Sequence, residues 1–171
     1  MKNLRFFSLF LLILFLFSVY GCQKSPPYDL SYREKRFCAQ MEGNQFGLDF
    51  GCDIYCEDGQ PTKIVYFSPT ALQGMTVFFS KDGSFKIEKD GISASLSQES
   101  LTHAGLLLPA RRLLLEGFSR SSVNTVQKLS EEVLLNITLP GESHSISVSI
   151  GKDGLPTVIS GENFSYHVHF R

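Results

Sequence analysis

Apolar and polar residues alternate along most of the chain after Arg33. From Gln45 to Cys56 the even positions are Phe46, Leu48, Phe50, Cys52, Ile54 and Cys56, and the odd ones are Gly47, Asp49, Gly51, Asp53 and Tyr55. A period of two is the pattern of a strand with one buried face. Upstream, Phe37, Ala39 and Met41 alternate with Cys38, Gln40 and Glu42. Gly43-Asn44 lies between the runs, with Gly at the first central position of a type II′ turn. Pairing Glu42 with Gln45 predicts Met41 opposite Phe46, Ala39 opposite Leu48 and Phe37 opposite Phe50.

Lys-Asp-Gly occurs at 81–83, 89–91 and 152–154. Each suits a hairpin turn, because Gly accepts positive φ. A three-residue loop at 81–83 sets Phe79 against Phe85 and Val77 against Ile87. An Asp90-Gly91 turn sets Ile87 against Ala94 and Phe85 against Leu96. One meander therefore runs from about Leu72 to Leu96, and further strands are expected at 62–67, 123–128, 132–139, 144–151, 155–160 and 163–170. Ser100 to Gly117 breaks the pattern. Leu106, Leu107, Leu108, Leu113, Leu114 and Leu115 are too continuous for a half-exposed strand, Pro109 suits the first turn of a helix, and Gly117 suits its end. The spacing predicts a short helix near 100–117, with Arg111 and Arg112 facing water. The fold class expected is mainly β, with a helical insertion.

The N-terminus has a different character. Lys2 and Arg5 precede an almost unbroken apolar run from Phe6 to Tyr20. As a helix this run spans about 22 Å, short of a bilayer core of about 30 Å, so it fits the h-region of a signal peptide. The run ends in Val19-Tyr20-Gly21-Cys22, which resembles the bacterial lipobox. The resemblance implies cleavage after residue 21 and lipidation of Cys22. Residues 1–21 are then a signal peptide, 22–32 a lipidated tether stiffened by Pro26 and Pro27, and 33–171 a single antiparallel β domain. Acyl chains anchor such a protein durably when there are two or more. The expected location is the extracytoplasmic face of a membrane, with the bilayer as partner.

Composition narrows the function. Removing Lys2 and Arg5 leaves 14 basic against 17 acidic side chains, so no basic face invites nucleic acid. Phe is abundant at 15 and Trp is absent, consistent with a β domain. There is no G-x-S-x-G elbow, phosphate-binding Gly loop or H-E-x-x-H. No catalytic residue, cofactor or metal site is expected, and the chain is read as a non-enzyme. Cys52 and Cys56 lie about 13 Å apart along one strand, too far for a disulfide or a shared zinc. Cys38 is expected on the other face, across from Asp49. Three free thiols in an exported chain point to a reducing or anaerobic habitat. His167 and His169 share a face about 7 Å apart, where two surface imidazoles are the ordinary outcome.

A lipobox, long antiparallel strands and an inserted apolar helix together resemble the LolA/LolB-like lipoprotein-carrier superfamily. The stretch that carries the resemblance is Ile64-Val65-Tyr66-Phe67-Ser68-Pro69 followed by Leu72-Gln73-Gly74-Met75. The resemblance implies a strongly curved, open half-barrel covered by the leucine-rich helix, with an apolar cavity for a lipid or acyl ligand. Its wall would comprise Phe46, Leu48, Phe50, Val77, Phe79, Phe85, Leu106 and Leu114. The residues leave a second reading open: the helix simply plugs a Phe-rich face, the core is filled, and the protein is a structural or interaction lipoprotein at the cell surface with no small-molecule ligand.

Overall fold

Three two-residue turns with positive φ at both positions shape the first half of the chain: Phe46-Gly47 (52°, 79°), Asp58-Gly59 (51°, 72°) and Asp90-Gly91 (51°, 79°). Such turns match the right-handed twist of the strands they join. The computed structural model describes residues 28, 30–82, 84–96, 108–114, 123–138 and 144–171. In these residues a 3₁₀ turn (Ser31–Glu34) precedes β1 (Phe37–Gln45), β2 (Leu48–Glu57), β3 (Gln60–Ser68), β4 (Thr76–Phe79), β5 (Phe85–Lys89) and β6 (Ile92–Leu96). A short helix, α1 (Leu108–Leu114), leads to β7 (Val123–Lys128), β8 (Val133–Thr138), β9 (Ser145–Ile150), β10 (Pro156–Gly161) and β11 (Phe164–Phe170).

All eleven strands form one antiparallel sheet in the order β6-β5-β4-β3-β2-β1-β11-β10-β9-β8-β7. Two meanders, β1–β6 and β7–β11, are joined at the centre by the pairing of β1 with β11. The middle of the chain therefore supplies both edges. The link from β6 to β7 must cross from one edge to the other, ten strand spacings of about 4.8 Å each, and α1 lies in that link.

This architecture corrects the expected one. The sheet is mainly β and antiparallel, but it is neither closed nor strongly curled. No half-barrel forms, and the described helix is only seven residues long. Strong curvature needs bulges or glycine kinks repeated from strand to strand. Here the register shifts fall between β2 and β3, β7 and β8, and β9 and β10. The pairings of β1 with both neighbours and of β4 through β6 run without a shift.

The first hairpin is also corrected. Its turn is Phe46-Gly47, with Gln45 opposite Leu48, so Met41 faces Cys52, Ala39 faces Ile54 and Phe37 faces Cys56. Asn44 Oδ1 accepts the Gly47 N–H at 2.9 Å and steadies the turn. Gly43 is not in the turn; it sits in β1 opposite Tyr166. A Cβ there would lie 1.8 Å from the Ser165 carbonyl oxygen, so only glycine lets β11 approach this closely. The shifted register keeps the expected faces together, because it moves the pairing by an even number of residues. Cys38 consequently faces Tyr55, not Asp49.

The meander registers match expectation: Phe79 pairs with Phe85, Val77 with Ile87, Ile87 with Ala94 and Phe85 with Leu96. In the loop between β4 and β5, Asp82 Oδ1 accepts from the Ser84 N–H at 2.9 Å and the Ser84 hydroxyl at 2.7 Å. Between β3 and β4, the Gly74 N–H reaches the Tyr66 carbonyl and the Tyr66 N–H reaches the Met75 carbonyl, both at 2.9 Å.

One face of the sheet gathers the core. Ala39, Met41, Cys52, Ile54, Ile64, Tyr66 and Val77 come from the first meander, and Leu135, Ile137, Val148, Ile150, Ile159 and Tyr166 from the second. α1 adds Ala110, Leu113 and Leu114 to the same cluster.

Candidate functional site

The residues expected to wall a cavity do not share one environment. Val77 is fully buried, and Phe85 and Leu114 are 3 % and 2 % exposed. Phe50 and Phe79 are half-buried against the core. Phe46 and Leu48 are 70 % and 66 % exposed, because the shifted hairpin puts them at its tip. Leu106 and Cys22 lie outside the described residues, as does the whole proposed signal peptide. The set therefore divides into packed core and exposed tip.

An aromatic cluster that sequence reasoning missed occupies the centre of the inner face. Phe50 stands edge-on to Tyr66 with ring centres 5.5 Å apart, and at 5.8 Å from Tyr166. Phe164 lies 5.2 Å from Tyr166. The Tyr166 hydroxyl donates to Gln45 Oε1 at 2.6 Å. The Arg112 guanidinium sits 3.8 Å above the Phe164 ring, and the side chain is half-buried rather than facing water as expected. A cation over an aromatic face gains from the ring quadrupole, more so when desolvated. Burial pushes the Tyr66 and Tyr166 hydroxyls far above the usual phenol range, with the Arg112 charge opposing the shift at Tyr166. These groups stay neutral at any physiological pH and act as packing with a polar tip. The clustering depends on β1 lying beside β11, which no local pattern encodes.

Two clefts among the described residues lie elsewhere. One runs along Gly74, Thr76 and Glu88–Ser93, and the other is formed by Leu30, Ser31, Arg33, Glu34, Asp58 and Gly59. Both are lined largely by polar side chains and turn backbone, which is poor chemistry for an acyl chain.

The outer face is polar. Across β7, β8 and β9, Asn124 Nδ2 donates to the Thr138 hydroxyl at 2.7 Å, Asn136 Nδ2 to the Thr125 hydroxyl at 2.9 Å, and the Ser147 hydroxyl to Asn136 Oδ1 at 2.7 Å. Just past β11, Arg171 pairs with Asp53 of β2 at 3.5 Å and donates to Gln40 Oε1 of β1. His167 and His169 are exposed opposite Glu42 and Gln40. Among the described residues, no three His, Cys, Asp or Glu side chains are grouped to hold a metal.

Cys38, Cys52 and Cys56 are free thiols. Burial raises the Cys56 thiol to about 12 and pushes Cys52 higher still, with Cys38 and Asp53 respectively adding to the shift. The Cys38 thiol is raised too, by burial and then by the Asp53 charge. Low-pKa thiolates are the reactive ones, and all three thiols are shifted the other way. No helix among the described residues is long and apolar enough to cross a membrane. Comparison of the chain with family models and with curated proteins finds no match.

Proposed function

We propose that the chain is an extracytoplasmic lipoprotein, held to a membrane by acyl chains on Cys22, that works through the surfaces of a filled β-sheet domain rather than by enclosing a ligand or catalysing a reaction. The anchor is supported by the charged, apolar leader ending in Gly21-Cys22. The filled core is supported by one observation above all: Val77, Phe85 and Leu114, the core-side members of the expected cavity wall, are packed to 3 % exposure or less. Buried aliphatic and aromatic side chains of this kind stabilise the sheet by about 1.5–3 kcal/mol each, and these three have no free surface to offer a lipid tail.

Replacing Cys22 by Ser tests the anchor. The wild-type chain should fractionate with membranes and carry the mass of a diacylated polypeptide starting at residue 22. The variant should lose both properties, and an unchanged mass and distribution would sink the assignment. Native mass spectrometry of the purified wild-type chain tests the filled core. It should show polypeptide plus covalent acyl groups. An additional lipid bound noncovalently at one per chain would restore a ligand-binding role.

A further inference from the structure

We propose that β6 is a self-pairing edge, and that two copies of the chain join β6 to β6 in an antiparallel, two-fold arrangement centred on Ala94. Four observations support this. First, β6 ends the sheet, and among the described residues nothing pairs with its outer side. Second, the strand is exposed along nearly its whole length, with Ile92 at 75 %. Third, three devices that often blunt an edge are missing from it: Ile92-Ser93-Ala94-Ser95-Leu96 holds no charge, no proline and no bulge. The other edge, β7, includes Lys128.

The fourth observation is that the strand reads the same in both directions by side-chain class: branched aliphatic, Ser, Ala, Ser, branched aliphatic. A two-fold interface requires self-complementarity, in which each residue meets its partner reciprocally. Centring the axis on Ala94 sets Ile92 against Leu96 of the second copy, Ser93 against Ser95, and Ala94 against itself.

The backbone agrees with that register. Lys89 and Ile92 flank the two-residue Asp90-Gly91 turn and form the closing pair of the hairpin. In an antiparallel ladder, bonded and non-bonded pairs alternate. The N–H and C=O groups of Ile92, Ala94 and Leu96 therefore point to β5, and those of Ser93 and Ser95 point to the open side. Pairing about Ala94 opposes those two serines across the new seam. Each Ser93 and Ser95 exchanges both of its free backbone groups with the other copy. A shift by one residue would oppose groups already engaged with β5. Ile92, Ala94 and Leu96, which share one face of the strand, would then continue across the axis as one apolar strip.

Cysteine cross-linking of the full-length chain in whole cells, before any fractionation, tests the register. Ala94 meets its own copy at a non-bonded pair, where Cα atoms lie about 4.5 Å apart, within disulfide range. Under mild oxidation A94C chains should form covalent dimers, whereas I92C chains should cross-link only when co-expressed with L96C chains. All three positions lie on the edge strand, and near-wild-type far-UV circular dichroism will confirm that the variants fold. Monomeric A94C, I92C dimers formed without L96C, or failure of the I92C and L96C mixture each overturns the proposal. The result is independent of whether Cys22 is acylated.

Discussion

The Tyr32 hydroxyl donates to the carbonyl oxygen of Leu113 at 2.9 Å, tying the segment ahead of β1 to α1 across 81 residues of sequence. The Tyr32 ring is buried beside Phe37 and Phe170, at 5.7 and 5.3 Å between centres. Tyr32→Phe keeps those ring contacts and removes the donor, leaving the buried Leu113 carbonyl without this partner. The expected cost is about 1–2 kcal/mol, read as a lower urea midpoint with unchanged slope. A midpoint within error of wild type would show that water reaches this carbonyl.

Gly43→Ala tests the central seam. The added methyl would meet the Ser165 carbonyl oxygen at 1.8 Å and the Tyr166 Cα at 2.9 Å. These are backbone atoms and cannot rotate away. A loss of about 3 kcal/mol or more is expected, with faster hydrogen exchange concentrated in β1 and β11. Wild-type exchange protection in the variant would mean that the two strands are not in this close register.

Phe46→Asn should stabilise the chain. Phe46 holds φ of 52° while 70 % exposed, so it has backbone strain and little burial to offset it. Asn tolerates that conformation and, before Gly47, forms the preferred type I′ pair. A gain of about 0.5–1 kcal/mol is expected in thermal or urea unfolding. Destabilisation would contradict the tip position and favour a covered role for this side chain.

Alkaline pH should weaken the fold through its thiols. Cys56 is held neutral, its value rising from 9.0 to about 12, and Cys52 shifts the same way. The folded state prefers the protonated form, so this contribution is complete below the ordinary thiol value. It is lost progressively as pH rises from about 9 towards 12. Unfolding midpoints should be flat through neutral pH and fall across that window. Cys56→Ala should show a shallower fall, whatever its stability at neutral pH, and an equal slope in both proteins would remove Cys56 from the account. The buried tyrosines act with the same sign at higher pH.

Strand positions and the β4–β6 registers were legible because local chemistry decides them. Asp90-Gly91 and the 81–83 loop leave one pairing that keeps Val77, Phe85 and Ile87 on a common face. The β1–β2 register was not legible. Gly43-Asn44 carries the composition of a turn, yet Gly43 answers to Ser165 and Tyr166, more than 120 residues away. That shift is why Phe46 and Leu48, expected as cavity wall, stand at an exposed tip. Arg112 was placed in water for a similar reason: its partner Phe164 is on β11, and no local pattern brings the two together. Sheet curvature depends on where bulges fall across many strands, which alternation within one strand does not encode.

The pairing of β1 with β11 also bears on the order of folding. Residues 39–45 meet residues 164–170 at the middle of the sheet, so the contact of greatest sequence separation is the one on which both meanders converge. Each meander can zip from its own tight turns. Closing the seam between them carries the entropy of a very long loop, and contacts of that kind slow the search for the native state. Until it closes, β1 and β11 each present a bare, Phe-bearing border, and that interval is when the chain is most exposed to aggregation.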